Sequence, residues 1–200
     1  MFILSLCDAT GSWSEPYRSA GFRIKQVDLT LGQDVRLMEL PRSQVYGVLA
    51  APPCTHLSLS GAQYWEKKGG DALLQSMSVV DACLRLVAIT RPKFWCLENP
   101  VGRLRRFLGP PTMIFDPYQY AGLADDPKKE AYTKKTLLWG NFNTPEKHPV
   151  NPVASGDSPI MKASGLSAGA VRSVTPSGFA RAFFEANSRG CQLDFMGLLY

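Results

Sequence analysis

Phe2-Ile3-Leu4-Ser5-Leu6-Cys7, followed by Asp8-Ala9-Thr10-Gly11-Ser12, is the stretch that decides the fold class. A short, almost wholly apolar run suits a strand covered on both faces, and the small polar residues behind it make a turn. No basic flank precedes the run and Asp8 follows at once, so it reads as a buried first strand and not as a signal peptide. Working outward, residues 14–20 predict a short helix that closes at Gly21. Residues 22–29 alternate Phe22, Ile24 and Val27, a second strand ending near Asp28. Residues 44–50 predict a third strand, which Pro52-Pro53-Cys54 stops. Leu73, Met77, Val80, Leu84 and Val87 recur at spacings of four and three, the apolar stripe of a helix with Asp71 near its start and Pro92 past its end. Residues 94–97 form another buried strand, broken by Glu98-Asn99-Pro100. Strands alternating with helices predict an α/β, Rossmann-like fold, a mostly parallel sheet with helices on both faces.

The second half is less regular. Residues 109–130 read as loops with short extended pieces, and 136–139 as a short strand. Residues 143–171 are rich in Pro, Gly, Ser and Asn and read as an exposed insert. Thr175 is the expected N-cap of a helix opened by Pro176, with Phe179, Phe183 and Ala186 on one face. The apolar tail at 193–200 is expected to pack on the body or on a partner, such as a second copy of the chain. The 200 residues are expected to form one domain, 1–200.

With 45% hydrophobic and 20% charged residues, the chain is neither disordered nor fibrous. No apolar run approaches the roughly 18 residues of a membrane span, so no membrane association is expected. Lys plus Arg is 22 against 17 Asp plus Glu, and the net charge of +5 permits a polyanionic partner without demanding one. The five cysteines are widely spaced and form no Cys-x-x-Cys pair, and His56 and His148 are the two histidines. That pattern argues against a disulfide framework and a metal site, and for a reducing, cytoplasmic setting.

In an open parallel sheet, ligands bind outside the carboxyl ends of the strands. Four unusual segments fall at such ends: residues 8–13, Asp28, residues 52–55 and residues 98–100. Each alone has an ordinary explanation, since strand-end Asp residues cap turns and buried Cys residues are usually inert packing. Together they outline a site. Cys54, behind two stiffening prolines, is a candidate nucleophile, and Glu98 can hydrogen-bond and protonate a substrate ring. A Cys and a carboxylate suit covalent addition to an electron-poor heterocycle. His56, two residues on, leaves a Cys–His hydrolase as the rival reading.

These segments resemble the cytosine-C5 DNA methyltransferases, especially their compact phage and prophage members. The resemblance rests on residues 4–13, Gly32-Gln33-Asp34-Val35-Arg36, Ala51-Pro52-Pro53-Cys54-Thr55 and Leu97-Glu98-Asn99-Pro100, with Tyr132-Thr133-Lys134-Lys135-Thr136 and Arg172-Ser173-Val174-Thr175-Pro176 in the family's order. It implies that the loop with Asp8, Thr10, Gly11 and Trp13 holds S-adenosyl-L-methionine, with Pro52 beside it. Asp28 takes the ribose hydroxyls and Asp34 the adenine amino group. Cys54 attacks C6 of cytosine and Glu98 holds N3 and the exocyclic amine. Pro53, Thr55, Asn99, Lys134 and Lys135 face the substrate. Departures from the family pattern are Asp8, Ser12 and Pro100 in their motifs, a missing Gln-Arg-x-Arg element, and the short 143–171 segment where full enzymes carry a target-recognition domain. The substrate implied is therefore DNA, duplex or single-stranded, with a free pyrimidine nucleotide as the alternative. A partner protein supplying target recognition and an inactive cofactor- or DNA-binding homologue are the other readings.

Overall fold

A computed structural model describes residues 2–152 and 174–188. Most of the 143–171 segment, Arg172, Ser173, Cys191 and the tail at 193–200 lie outside the described residues. The elements are β1 (Phe2–Leu6), α1 (Glu15–Ser19), β2 (Arg23–Val27), β3 (Gly47–Ala50), α2 (Trp65–Thr90), β4 (Phe94–Pro100), α3 (Arg105–Leu108), β5 (Met113–Phe115), α4 (Pro127–Glu130), β6 (Thr136–Asn141) and α5 (Ser177–Asn187). They build one six-stranded sheet in the order β2-β1-β3-β4-β6-β5. The first four strands in that order are mutually parallel, and β6 runs antiparallel between β4 and β5. The chain leaves β1 toward β2 on one side and later returns to β3 on the other. That reversal opens a crevice outside the carboxyl ends of β1 and β3.

Period-two alternation sorts the strand side chains onto two cores. Leu4, Leu6, Val48, Ala50, Leu97 and Trp139 pack with Val80, Cys83 and Leu86 of α2. Ile3, Leu49, Phe94, Cys96 and Leu138 pack with Tyr17 of α1 and with Phe179 and Phe183 of α5. Helices therefore cover both faces, as the strand–helix alternation predicts. The second core is aromatic: Phe115 stacks on Phe179 at 4.0 Å, and Trp13 meets Phe183 edge-on at 5.7 Å.

Several expectations need correction. β4 does not end at Glu98 but continues through Asn99 and Pro100, which pair with Leu137 and Thr136 of the antiparallel β6. Proline is tolerated there because pairing with β3 stops at Leu97, so the end of β4 has a neighbour on one side only, as in an edge strand. The strand expected at 136–139 reaches Asn141 and is antiparallel. The helix read from Leu73 to Val87 is longer, from Trp65 to Thr90, with a break at Gly69 (φ 69°, ψ −172°). By length and composition, the helical stretch Leu59–Thr90 is apolar enough to cross a membrane, although polar and charged residues interrupt it in the sequence. Its Val80, Cys83 and Leu86 are nonetheless fully buried against the sheet.

The cap of α5 is the other correction. Pro176 is the N-cap residue, not Thr175, and it offers no side-chain acceptor. The buried Glu130 carboxylate, at the end of α4, takes that role. It accepts from the Ser177 amide (2.7 Å), the Ser177 hydroxyl (2.7 Å) and the Gly178 amide (2.9 Å). A negative charge at a helix N-terminus also suits the macrodipole. Glu130→Ala is therefore expected to cost about 2 kcal/mol in urea denaturation, since it strands buried donors. Thr175→Ala is expected to change the midpoint little.

Candidate active site

The loop after β1 is organised by its own carboxylate. Asp8 Oδ2 accepts from the Ser5 hydroxyl (2.7 Å), and Oδ1 accepts from the Gly11 amide (2.8 Å) and the Thr10 hydroxyl (3.3 Å). Gly11 sits at φ 70°, and a Cβ there would lie 2.9 Å from Gln26 Oε1, so no larger residue closes this turn without strain. Gln26 in turn donates to the Asp8 carbonyl (2.7 Å), tying the loop to β2. Trp13 is turned into the aromatic core, 1% exposed, and anchors the loop from below. The Ser12 hydroxyl donates to the Thr175 carbonyl (2.7 Å), just ahead of α5.

At the end of β2, Asp28 accepts from the Thr30 amide (2.8 Å) and hydroxyl (2.7 Å) through Oδ1. Its Oδ2 has no protein partner among the described residues and is the free acceptor beside the β1 loop. Asp34 lies farther along, in a two-pronged pair with Arg36 (Nε to Oδ1 2.9 Å, Nη2 to Oδ2 2.5 Å). Those bonds hold the half-buried Asp34 carboxyl below its ordinary range. No described contact joins Asp34 to the rest of the group.

The loop after β3 is sewn to the chain after β4. Asn99, fully buried, donates from Nδ2 to the Pro52 carbonyl (2.8 Å). The Leu59 amide donates to the Val101 carbonyl (2.8 Å), and the Arg103 amide to the Leu57 carbonyl (2.7 Å). The approach is so close that a Cβ on Gly102 would lie 1.9 Å from the Leu57 carbonyl oxygen. Cys54 tops this stitched corner, its carbonyl accepting from the Leu57 and Ser58 amides (both 2.9 Å). Pro52 is buried beneath it, while Pro53 and Thr55 face outward.

Three of the expected residues share one electrostatic field. Burial pushes the Cys54 thiol above its ordinary range, and the Glu98 charge pushes the same way. Lys134 and a hydrogen bond with the Ser58 hydroxyl pull it back. Burial likewise raises the Glu98 carboxyl, and Lys134 opposes that rise. The Tyr132 phenol, beside Glu130 and Glu98, is pushed up by burial and by both charges. Lys135 is exposed and is not drawn into this set. The sulfur's hydrogen-bond partner is Ser58, not His56, whose Nδ1 is buried without a partner, and this weighs against a Cys–His pair. Ser58 carries no mark in the sequence, and Tyr132 enters only as part of the 132–136 segment with no role of its own, because nothing in their local spacing signals proximity to Cys54 or Glu98.

Burial and charge thus push both the Cys54 thiol and the Glu98 carboxyl toward their neutral forms, and Lys134 opposes both shifts.

No protein-family model matches the chain, and no curated protein does. Among solved structures, the chain is similar to one from E. coli described as a candidate DNA modification methyltransferase encoded within a prophage. The identity is 16% and the TM-score 0.41, over 70% of this chain and 46% of that one. The chain thus spans less than half the length of that structure.

Two outcomes follow from the shared field. Glu98→Gln removes a charge that opposes the thiolate, so the pH midpoint for alkylation of Cys54 by iodoacetamide should fall; Lys134→Ala should raise it. Because folding raises the Glu98 carboxyl, its contribution to stability is fullest below the ordinary value of 4.5 and is lost as pH rises through the raised value. The urea midpoint of Glu98→Gln should therefore gain on the wild type as pH increases across that window.

Proposed function

We propose that the chain is an S-adenosyl-L-methionine-dependent methyltransferase that acts on C5 of cytosine in DNA. The observation that carries the reading is the joint placement of Cys54 and Glu98. Cys54 lies in the loop after β3, and Glu98 follows the last residue of β4 that pairs with β3, with the Lys134 charge acting on both. Cytosine is unreactive at C5 until a nucleophile saturates the C5–C6 double bond. The Cys54 thiolate forms the S–C6 bond, and the displaced electron pair leaves N3 needing a proton. Glu98, whose half-buried carboxyl is pushed up toward the protonated form, delivers it, and the ring becomes an enamine with nucleophilic C5. After C5 has been substituted, the N3 proton returns to Glu98, a water molecule at the crevice takes the C5 proton, and the Cys54 sulfur leaves as thiolate as the C5–C6 double bond re-forms. In duplex DNA the target must first be flipped out of the stack.

The cofactor's donor set is present in part. Asp28 Oδ2 is a carboxylate acceptor suited to ribose hydroxyls. The β1 loop, held open by Asp8, Thr10 and Gly11 over the Trp13 anchor, supplies backbone polar groups at the crevice, which Pro52 borders. Bound there, S-adenosyl-L-methionine supplies an electrophilic methyl group. On this reading Asp34 contacts adenine only by giving up part of its Arg36 pair. Lys134 and Lys135 offer cationic contacts to phosphate, while Pro53, Thr55 and Asn99 shape the pocket for the base.

The test is covalent capture. Incubation with S-adenosyl-L-methionine and DNA containing 5-fluorocytosine should yield a denaturant-stable adduct for the wild type and none for Cys54→Ser. Glu98→Gln should slow capture by roughly 10²-fold or more, the typical size of a lost proton transfer. Absence of both capture and 5-methylcytosine with the wild type on any DNA would refute the proposal.

A further inference from the structure

Beyond the Cys54 corner lies a cavity of about 650 Å³ that none of the chemistry above uses. Its volume falls within the range of about 300–1,000 Å³ typical of small-molecule sites. Gln63, Trp65, Glu66, Leu73 and Arg103 line it, over Gly69 and Gly70. The Arg103 guanidinium stands over the Trp65 ring at 4.1 Å. The indole Nε1 of Trp65 is buried without a hydrogen-bond partner. A Cβ on either glycine meets nothing within 4 Å, so the cavity is open on their side.

We infer that this cavity takes an unpaired nucleobase adjacent to the target in a nucleic acid strand. The inference rests on the nucleic-acid reading of the Cys54 site. Four observations carry it. Arg103 of the cavity wall donates its amide to the carbonyl of Leu57, three residues past Cys54, so the cavity and that site share one stitched segment. A half-buried indole and a guanidinium offer flat faces, the surfaces on which bases of single strands stack. Glu66, a carboxylate on the wall, repels a phosphate but accepts from the N–H groups of a base edge. Phosphates instead find Arg105 and Arg106, exposed on α3 beside the half-exposed Phe107. Neither arginine, nor Arg103, is ion-paired to a carboxylate among the described residues. A base stacked there cannot remain paired, so the favoured substrate is a strand that is single or opened at that position.

The experiment titrates the full chain, without cofactor, into a labelled single-stranded 12-mer containing cytosine and follows anisotropy. Trp65→Ala should weaken binding about ten-fold or more, and Trp65→Phe should recover most of it. Gly70→Leu, which grows a side chain into open space and leaves the packed core untouched, should weaken binding to a similar degree while thermal melting stays unchanged. A strand with abasic sugars around the cytosine should bind the wild type as weakly as Trp65→Ala binds the intact strand. The inference is overturned if Trp65→Ala and Gly70→Leu bind within two-fold of wild type, if the abasic strand binds as well as the intact one, or if duplex of the same sequence shows the same dependence on Trp65. Covalent capture with 5-fluorocytosine is scored separately. Capture without Trp65 dependence removes only this inference, and Trp65-dependent binding without capture removes only the methyl-transfer reading.

Discussion

Asn99 Nδ2 to the Pro52 carbonyl, Leu59 to Val101, and Arg103 to Leu57 form a short seam on which the rest of the site depends. The loop that carries Cys54 has left the sheet ladder at Pro52 and has no strand neighbour of its own. Without the seam it would be an exposed turn, and the thiol would have no fixed relation to Glu98. With it, the backbone amides beyond Cys54 are satisfied and the side chain is held at the rim. Buried hydrogen bonds of this kind each contribute only about 1 kcal/mol net. Their value here is geometric, because they fix the loop that carries Cys54 against the chain after Glu98.

The same corner stores an electrostatic conflict. Glu98 is set where burial raises its carboxyl and where its charge opposes the Cys54 thiolate. A core optimised for stability would place an amide or an apolar residue there. Lys134 offsets part of the conflict by favouring both charged forms, and Tyr132 adds a phenol that the surrounding charges keep protonated. Groups pushed in this way cluster where proton transfer is needed.

Much of this was readable from residue order alone, for reasons that can be named. α2 shows a clear apolar stripe because it buries one face, β1 and β3 stand out as short apolar runs because both their faces are covered, and Pro52-Pro53 marks where a ladder must stop. The end of β4 was misjudged because Pro100 is a local breaking signal, whereas the antiparallel β6 that continues the strand lies about 40 residues away. The cap of α5 was misassigned for a similar reason. Thr175 is the expected local acceptor, but Glu130, 47 residues earlier, reaches it through the fold. Cys54 and Glu98 stood out because of their unusual neighbours. Ser58, Tyr132 and the Trp65–Arg103 pair did not, since their roles arise only when separate loops are brought together.

The hydrogen bond from Ser12 to Thr175 joins residues 163 apart in sequence. The turn that opens the chain is thus completed by one of the last described segments. Parallel pairing already makes β1 wait for β3, and this contact makes its loop wait for α5 as well. Contacts of such sequence separation incur their loop-closure entropy before they return any stabilisation, and they form late. During synthesis on the ribosome, the crevice beside β1 stays incomplete until the region of α5 has emerged. A ligand that requires the finished β1 loop would then select for chains made at least through α5, and its binding would report that this contact has closed.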